Sequence, residues 1–157
     1  MSEGGGDGSG EGENGPEHDV DFREHPEEYD IGRGEEDVFK VEPYKSELLP
    51  HWSYADEASA EESARAIYER YESYREEGDF VGMDMARKYL QMGYTRSMRY
   101  ARYPGGQKYD DGEEREPEEW ADEGKRAAAV VFEEYLERVR DDEKYREMKD
   151  EHRERRG

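Results

Sequence analysis

The sequence predicts a mainly α fold: a small domain of three to four helices with an N-terminal extended arm, in which a short strand pair is the one β option. Two observations carry this. From Ala60 onward apolar residues recur at spacings of three and four, the period of one helix face. Glycine and proline interrupt those runs where helices begin and end, at Gly78, Pro104, Gly105, Gly106 and Pro117.

Residues 1–19, "MSEGGGDGSGEGENGPEHD", are rich in glycine and acids and read as a disordered tail, leaving 20–157 as a single helical domain. In "VDFREHPEEYDIGRG" the anchors are Phe22, Tyr29 and Ile31. "DVFKVEPYKSELLPHW" alternates Val38, Phe39, Val41 and Tyr44 and is fenced by Pro43 and Pro50. It reads as a short strand or extended arm, then an irregular segment ending at Trp52.

Helices follow. "DEASAEESARAIYERYESYREEG" offers a capping box in Ser59-x-x-Glu62, a buried stripe of Ala60, Ala64, Ile67, Tyr71 and Tyr74, and Gly78 as C-cap. The next helix runs from about Phe80 to Tyr103. Asp79 suits its N-cap, Asp84 and Lys88 form an i,i+4 pair, and Met85, Leu90 or Tyr89, Met92 and Met98 supply its core stripe. A third helix is expected from Pro117 to about Val139, with Trp120, Ala127, Ala128, Val131, Tyr135 and Val139 inward. A short last one, Asp142 to His152, carries Tyr145 and Met148.

Charge sets the chemistry. The 157 residues carry a formal charge of −21 with only 31% hydrophobic residues, a balance shared by disordered chains and by proteins adapted to concentrated salt. Thirteen tyrosines, two tryptophans and clear helical periodicity favour the second. In molar salt the Debye length falls to about 3 Å, so crowded surface acids cease to repel strongly. The expectation is a cytoplasmic protein of a salt-accumulating halophile. There is no cysteine for disulfides or thiolate metal sites. No apolar run resembles a signal peptide or approaches a membrane span, so no membrane is expected among its partners.

One stretch breaks the pattern. "MARKYLQMGYTRSMRYARYPGGQKY" holds Arg87, Lys88, Arg96, Arg99, Arg102 and Lys108 and not one acid. Without those six cations the remaining 18 bases face 45 acids, and the rest of the chain carries −27. On a helix Arg96, Arg99, Tyr100 and Tyr103 share one face, with Arg102 beside Arg99. Guanidinium forks suit phosphate oxygens, and tyrosine rings suit bases. Arg87, Lys88, Arg96, Arg99, Tyr100, Arg102, Tyr103 and Lys108, extended by Lys45, are therefore the candidate site for nucleic acid or a phosphorylated small molecule. Two other readings stand beside this one. The arginines can pair with Glu69, Glu72, Glu76, Glu133 and Glu137 of neighbouring helices, which makes the protein a structural interaction module. Alternatively Tyr44, His51 and Trp52 line a pocket between residues 42–52 and the cationic helix. There Lys45 and Arg87 would hold a small anionic substrate while His51 moves a proton.

No cofactor or metal is expected: the histidines His18, His25, His51 and His152 show no ligand spacing, and no phosphate-loop or hydrolase motif occurs. Carboxylate pairs such as Glu69 and Glu72 are unavoidable among 45 acids and carry no signal.

Taken together, "DFREHPEEYDIGRGE", "VEPYKSELLPHW", "GDFVGMDMARKYLQMGYTRSMRYA" and "GGQKYD" resemble an uncharacterised family, the domain of unknown function 4385, over about Val20 to the C-terminal helices. The resemblance implies a coherent folded unit and a cytosolic protein, in a strongly acidic, haloarchaeal-type member. It brings no catalytic or binding residues with it.

Far-ultraviolet circular dichroism checks the salt inference. Helicity is expected to rise as KCl is raised from dilute buffer into the molar range; full helicity without added salt would remove the inference.

Overall fold

The computed structural model describes residues 20–32, 35–103, 109–110, 113–114 and 122–156. The tail expected over 1–19 lies outside them, as do Pro104, Gly105, Gly106, Lys108, Pro117 and Trp120. The mainly α expectation holds. Among the described residues the helices are α1 (Tyr44–Leu48), α2 (Glu57–Glu77), α3 (Phe80–Arg102), α4 (Glu123–Arg140) and α5 (Glu143–Arg156). Tight 3-10 turns at Pro26–Glu28, Glu35–Lys40 and Leu49–His51 fill the N-terminal arm. A two-residue antiparallel pair, β1 (Tyr109–Asp110) with β2 (Glu113–Glu114), lies between α3 and α4.

The strand-like reading of residues 38–44 is corrected: this segment is a 3-10 turn leading into α1. Val38, Val41, Tyr44 and Leu48 are the buried positions, and their spacing of three, three and four is helical. Phe39, taken as part of an alternation, instead packs sideways onto Trp52 and Tyr89.

α2 begins one turn earlier than a Ser59–Glu62 capping box implies. Asp56 is the cap, its carboxylate accepting the Ser59 backbone N–H at 2.8 Å. Its stripe of Ala60, Ala64, Ile67, Tyr71 and Tyr74 is buried as expected. At the far end Gly78 adopts φ 71°, a left-handed cap that costs a glycine nothing. The Asp79 N–H then reaches back to the Tyr74 carbonyl at 2.8 Å, while the Asp79 side chain accepts the Gly82 N–H at 3.1 Å and starts α3. One helix is closed and the next opened within two residues, which sets α2 and α3 antiparallel.

α3 is the axis of the domain. It touches α1, α2, α4, α5 and the Glu35–Lys40 turn. From Phe80 to Leu90 only Arg87 is not fully buried, so neighbours surround this half on every side. Such enclosure needs small residues where a neighbour comes closest. A Cβ on Gly82 would run into the Tyr74 ring, and one on Gly93 would sit 2.6 Å from the Phe132 ring of α4. α4 starts at its Asp122 cap, whose carboxylate accepts the Lys125 N–H at 3.0 Å. It buries Ala128, Val131, Phe132, Tyr135, Leu136 and Val139, whereas Ala127 is only half-buried. No helix among the described residues is long and apolar enough to cross a membrane.

Gly93→Ala is expected to destabilise by about 1–3 kcal/mol, the range for overpacking a core. Gly124→Ala, whose Cβ would meet only Asp122 Oδ1 at 3.4 Å, should stay near wild type. Chemical denaturation of the two variants checks this pair; equal stability would contradict the tight α3–α4 crossing.

Candidate functional site

The cationic stretch does two different jobs along α3. In the enclosed half, Asp84 is fully buried and accepts from Tyr29 Oη at 2.5 Å and Tyr145 Oη at 2.6 Å. Arg87 adds Nε and Nη2 at 3.1 and 2.9 Å, and Lys88 Nζ lies 4.0 Å away while standing 5.0 Å over the Tyr29 ring. Arg87 is held further by Gln91 Oε1 at 2.6 Å and by the Tyr145 hydroxyl. Burial pushes the Asp84 carboxyl up, but Arg87, the two hydroxyls and Lys88 outweigh it and hold the group below the ordinary aspartate range. Arg87 and Lys88, expected on a phosphate-binding surface, are thus turned to the core, and the expected i,i+4 pair of Asp84 and Lys88 is present there, buried.

A second cluster closes the N-terminal end of α3. Arg23 forks onto Glu47 at 2.8 and 2.9 Å and reaches Asp79 at 3.4 Å. Tyr44 donates to Asp79 at 2.7 Å and Tyr74 to Glu47 at 2.6 Å, their rings edge to face at 5.5 Å. A third joins α2 to the α4–α5 corner, where Tyr71 and Arg75 converge on Asp142 at 2.6 and 2.7 Å.

The residues expected to line a pocket diverge. Tyr44 turns to Asp79, whereas the Trp52 indole donates to the Tyr89 carbonyl at 3.0 Å. Ten residues on α3 separate those two partners, a rise of about 15 Å. His51 is exposed, and Lys45 sits on α1 beside Tyr44, toward the N-terminal end of α3.

The other end of α3 carries a surface of cations and rings. Arg96 lies over Trp52 at 5.2 Å, and Trp52, Tyr54 and Tyr100 follow one another at centroid spacings of 5.2 and 6.5 Å. Lys125 of α4 donates to the Tyr54 carbonyl at 2.9 Å and stands 5.0 and 5.4 Å from the Tyr54 and Tyr100 rings. Arg99 and Arg102 are exposed, and neither forms an ion pair with another described residue, the glutamates of α2 and α4 included. Tyr103 is half-buried and caps the helix through its N–H to the Arg99 carbonyl at 2.8 Å. Lys108 lies outside the described residues. Tyr54 and Lys125 join the surface without having been singled out in the sequence. Only the alternation in Trp52-x-Tyr54 hinted at the first, and nothing local pointed to the second. No group of three or more His, Cys, Asp or Glu among the described residues is arranged to hold a metal ion.

A family model described as Domain of unknown function (DUF4385) matches residues 12–155. The chain belongs to that family. Both the Asp84 centre and the cationic end of α3 lie inside the DUF4385 match. No curated protein and no solved structure matches the chain.

Two variants and a pH series test the centre. Asp84→Asn takes the buried carboxylate away from the part-buried Arg87 and the buried Lys88 and is expected to cost about 3–5 kcal/mol. Tyr145→Phe, which removes one hydrogen bond to a charged group, should cost about 1.5–3 kcal/mol. Asp84 has a lowered pKa, so its contribution is complete above the ordinary value of 3.8 and drains away as pH falls through the folded value. Tyr29, Tyr44, Tyr71, Tyr74 and Tyr145 have raised ones, burial first and the adjacent carboxylate next. Their contribution is complete below the ordinary 10.0 and falls as pH rises above it. Thermal melting across pH should therefore show a plateau that falls away at both ends. Persistence of the alkaline limb in a Tyr29→Phe/Tyr145→Phe variant would assign it to other hydroxyls.

Proposed function

We propose that the protein is a non-enzymatic binding module for nucleic acid, working in the cytoplasm of a salt-accumulating cell, with the C-terminal face of α3 as its contact surface. The observation that carries this reading is the pair of exposed guanidiniums, Arg99 and Arg102, unpaired with any described carboxylate in a chain of charge −21. Cations in the last turn of a helix also complement its carbonyl end, which accounts for their stability there but not for their lack of partners in so acidic a protein. Tyr100, next to Arg99 and 38% exposed, adds a ring. Lys125, held over the Tyr54 and Tyr100 rings, presents its charge in a fixed position, so less side-chain entropy is lost when an oxyanion arrives.

Arg87 and Lys88 leave the proposed surface because Asp84 occupies them, and Lys45 leaves it by position. Phosphate neutralisation alone loses affinity steeply with salt, the log–log slope being about −0.9 per phosphate on duplex DNA. A binder in concentrated salt must draw on ring contacts besides charge, and this face offers the exposed ring of Tyr100. The enzyme reading draws less support, because Tyr44 and Trp52 bond to partners ten residues apart.

Fluorescence anisotropy with a labelled oligonucleotide at the salt that gives full helicity tests the proposal. Arg99→Glu/Arg102→Glu is expected to weaken binding at least tenfold with unchanged circular dichroism. Undiminished affinity in that variant would overturn the assignment of the surface.

A further inference from the structure

We propose that the strand taken by this face is single rather than duplex, an inference that rests on the nucleic-acid reading above. Three features point the same way. First, α3 cannot enter a groove. Neighbouring elements enclose it from Phe80 to Leu90, and its exposed cations belong to the last two turns. Duplex readers of the helical kind lay a free helix face along a major groove about 12 Å wide.

Second, among the described residues the cationic surface is short and bordered by acids. From Arg96 to Arg102 the helix advances only about 9 Å. Asp56, the cap of α2, is close enough for Lys125 to lower its pKa, after the larger effect of its bonds from Ser59. The backbone N–H of Asp122, the cap of α4, donates to the Ala101 carbonyl at 3.3 Å, beside Arg102. A duplex carries one charge per about 1.7 Å of axis on two strands, so seating one strand on Arg99 and Arg102 brings the other toward those carboxylates. A single strand fits the narrow positive band alone.

Third, the exposed part of the Tyr100 ring suits an unpaired base. It and Val130 are the large hydrophobic side chains left exposed among the described residues. Tyr100 alone lies on the cationic end of α3, at the edge of the Arg96 and Arg99 face, with Lys125 5.4 Å and the Tyr54 ring 6.5 Å from its own ring. Bases inside a duplex are already stacked on one another, whereas bases of a single strand stack on an aromatic ring whatever their identity.

The test is anisotropy with fluorescein-labelled oligo(dT) or oligo(U) of about twelve nucleotides, against the same oligo(dT) annealed to oligo(dA), on the full chain at high KCl. The expected result is at least tenfold tighter binding of either single strand than of the duplex. Tyr100→Ala should lose about tenfold on the single strand while Tyr100→Phe, which keeps the ring, binds like wild type. Equal or tighter duplex binding, or full single-strand affinity in Tyr100→Ala, overturns the inference and leaves the nucleic-acid reading standing. No binding of any of the three overturns both.

Discussion

A fully buried carboxylate holds the domain together. Asp84 takes a hydroxyl from the N-terminal arm, a hydroxyl from α5 and a guanidinium from its own helix, so three parts of the chain meet at two oxygen atoms. Taking such a charge out of water costs several kcal/mol unless every lone pair finds a donor. That requirement dictates much of what surrounds it. Tyr29 must enter from the arm, which Phe22 anchors through its N–H to the Glu42 carbonyl at 3.0 Å. α5 must lie close enough for Tyr145 to reach, and His152 Nε2, 2.6 Å from the Tyr29 carbonyl, draws the far end of α5 onto the same arm.

The same device recurs at three other junctions. Tyr44 with Asp79, Tyr74 with Glu47 and Tyr71 with Asp142 each place a phenol on a carboxylate at an element boundary. Tyrosine suits a chain with few aliphatic residues, because one side chain brings both a large apolar ring and a donor. It also suits concentrated salt. Exposed ion pairs lose strength as ions crowd in, while a buried hydroxyl-to-carboxylate bond is screened far less. The ring-over-cation contacts at Trp52, Tyr54 and Tyr100 extend this preference to the surface.

Much of this was legible in the sequence. The stripes of α2 and α4, the Asp79 cap and the Gly78 stop follow from periodicity and capping chemistry, which are local. The arm was misread because its tight turns bury residues three apart over too short a run to separate that pattern from alternation. The split of the cationic stretch was hidden for a different reason. Arg87 and Arg99 look alike in composition and neighbours, and what divides them is enclosure by α5 and the arm, contacts made across 55 and 61 residues of chain. Lys125 reaches the surface over a comparable distance, its bond to Tyr54 spanning 71 residues.

Those separations bear on how the molecule comes into being. While a ribosome is still making α4, Asp84 can have gathered the arm hydroxyl but not the one from Tyr145, sixty-one positions further on. Until that helix emerges, a nascent chain holds a carboxylate and a guanidinium that cannot yet be sealed from water, and the arm has no α5 to rest against. Completion of the core therefore waits on late synthesis, and a stalled or clipped product ending before Tyr145 lacks one of the donors to its central carboxylate.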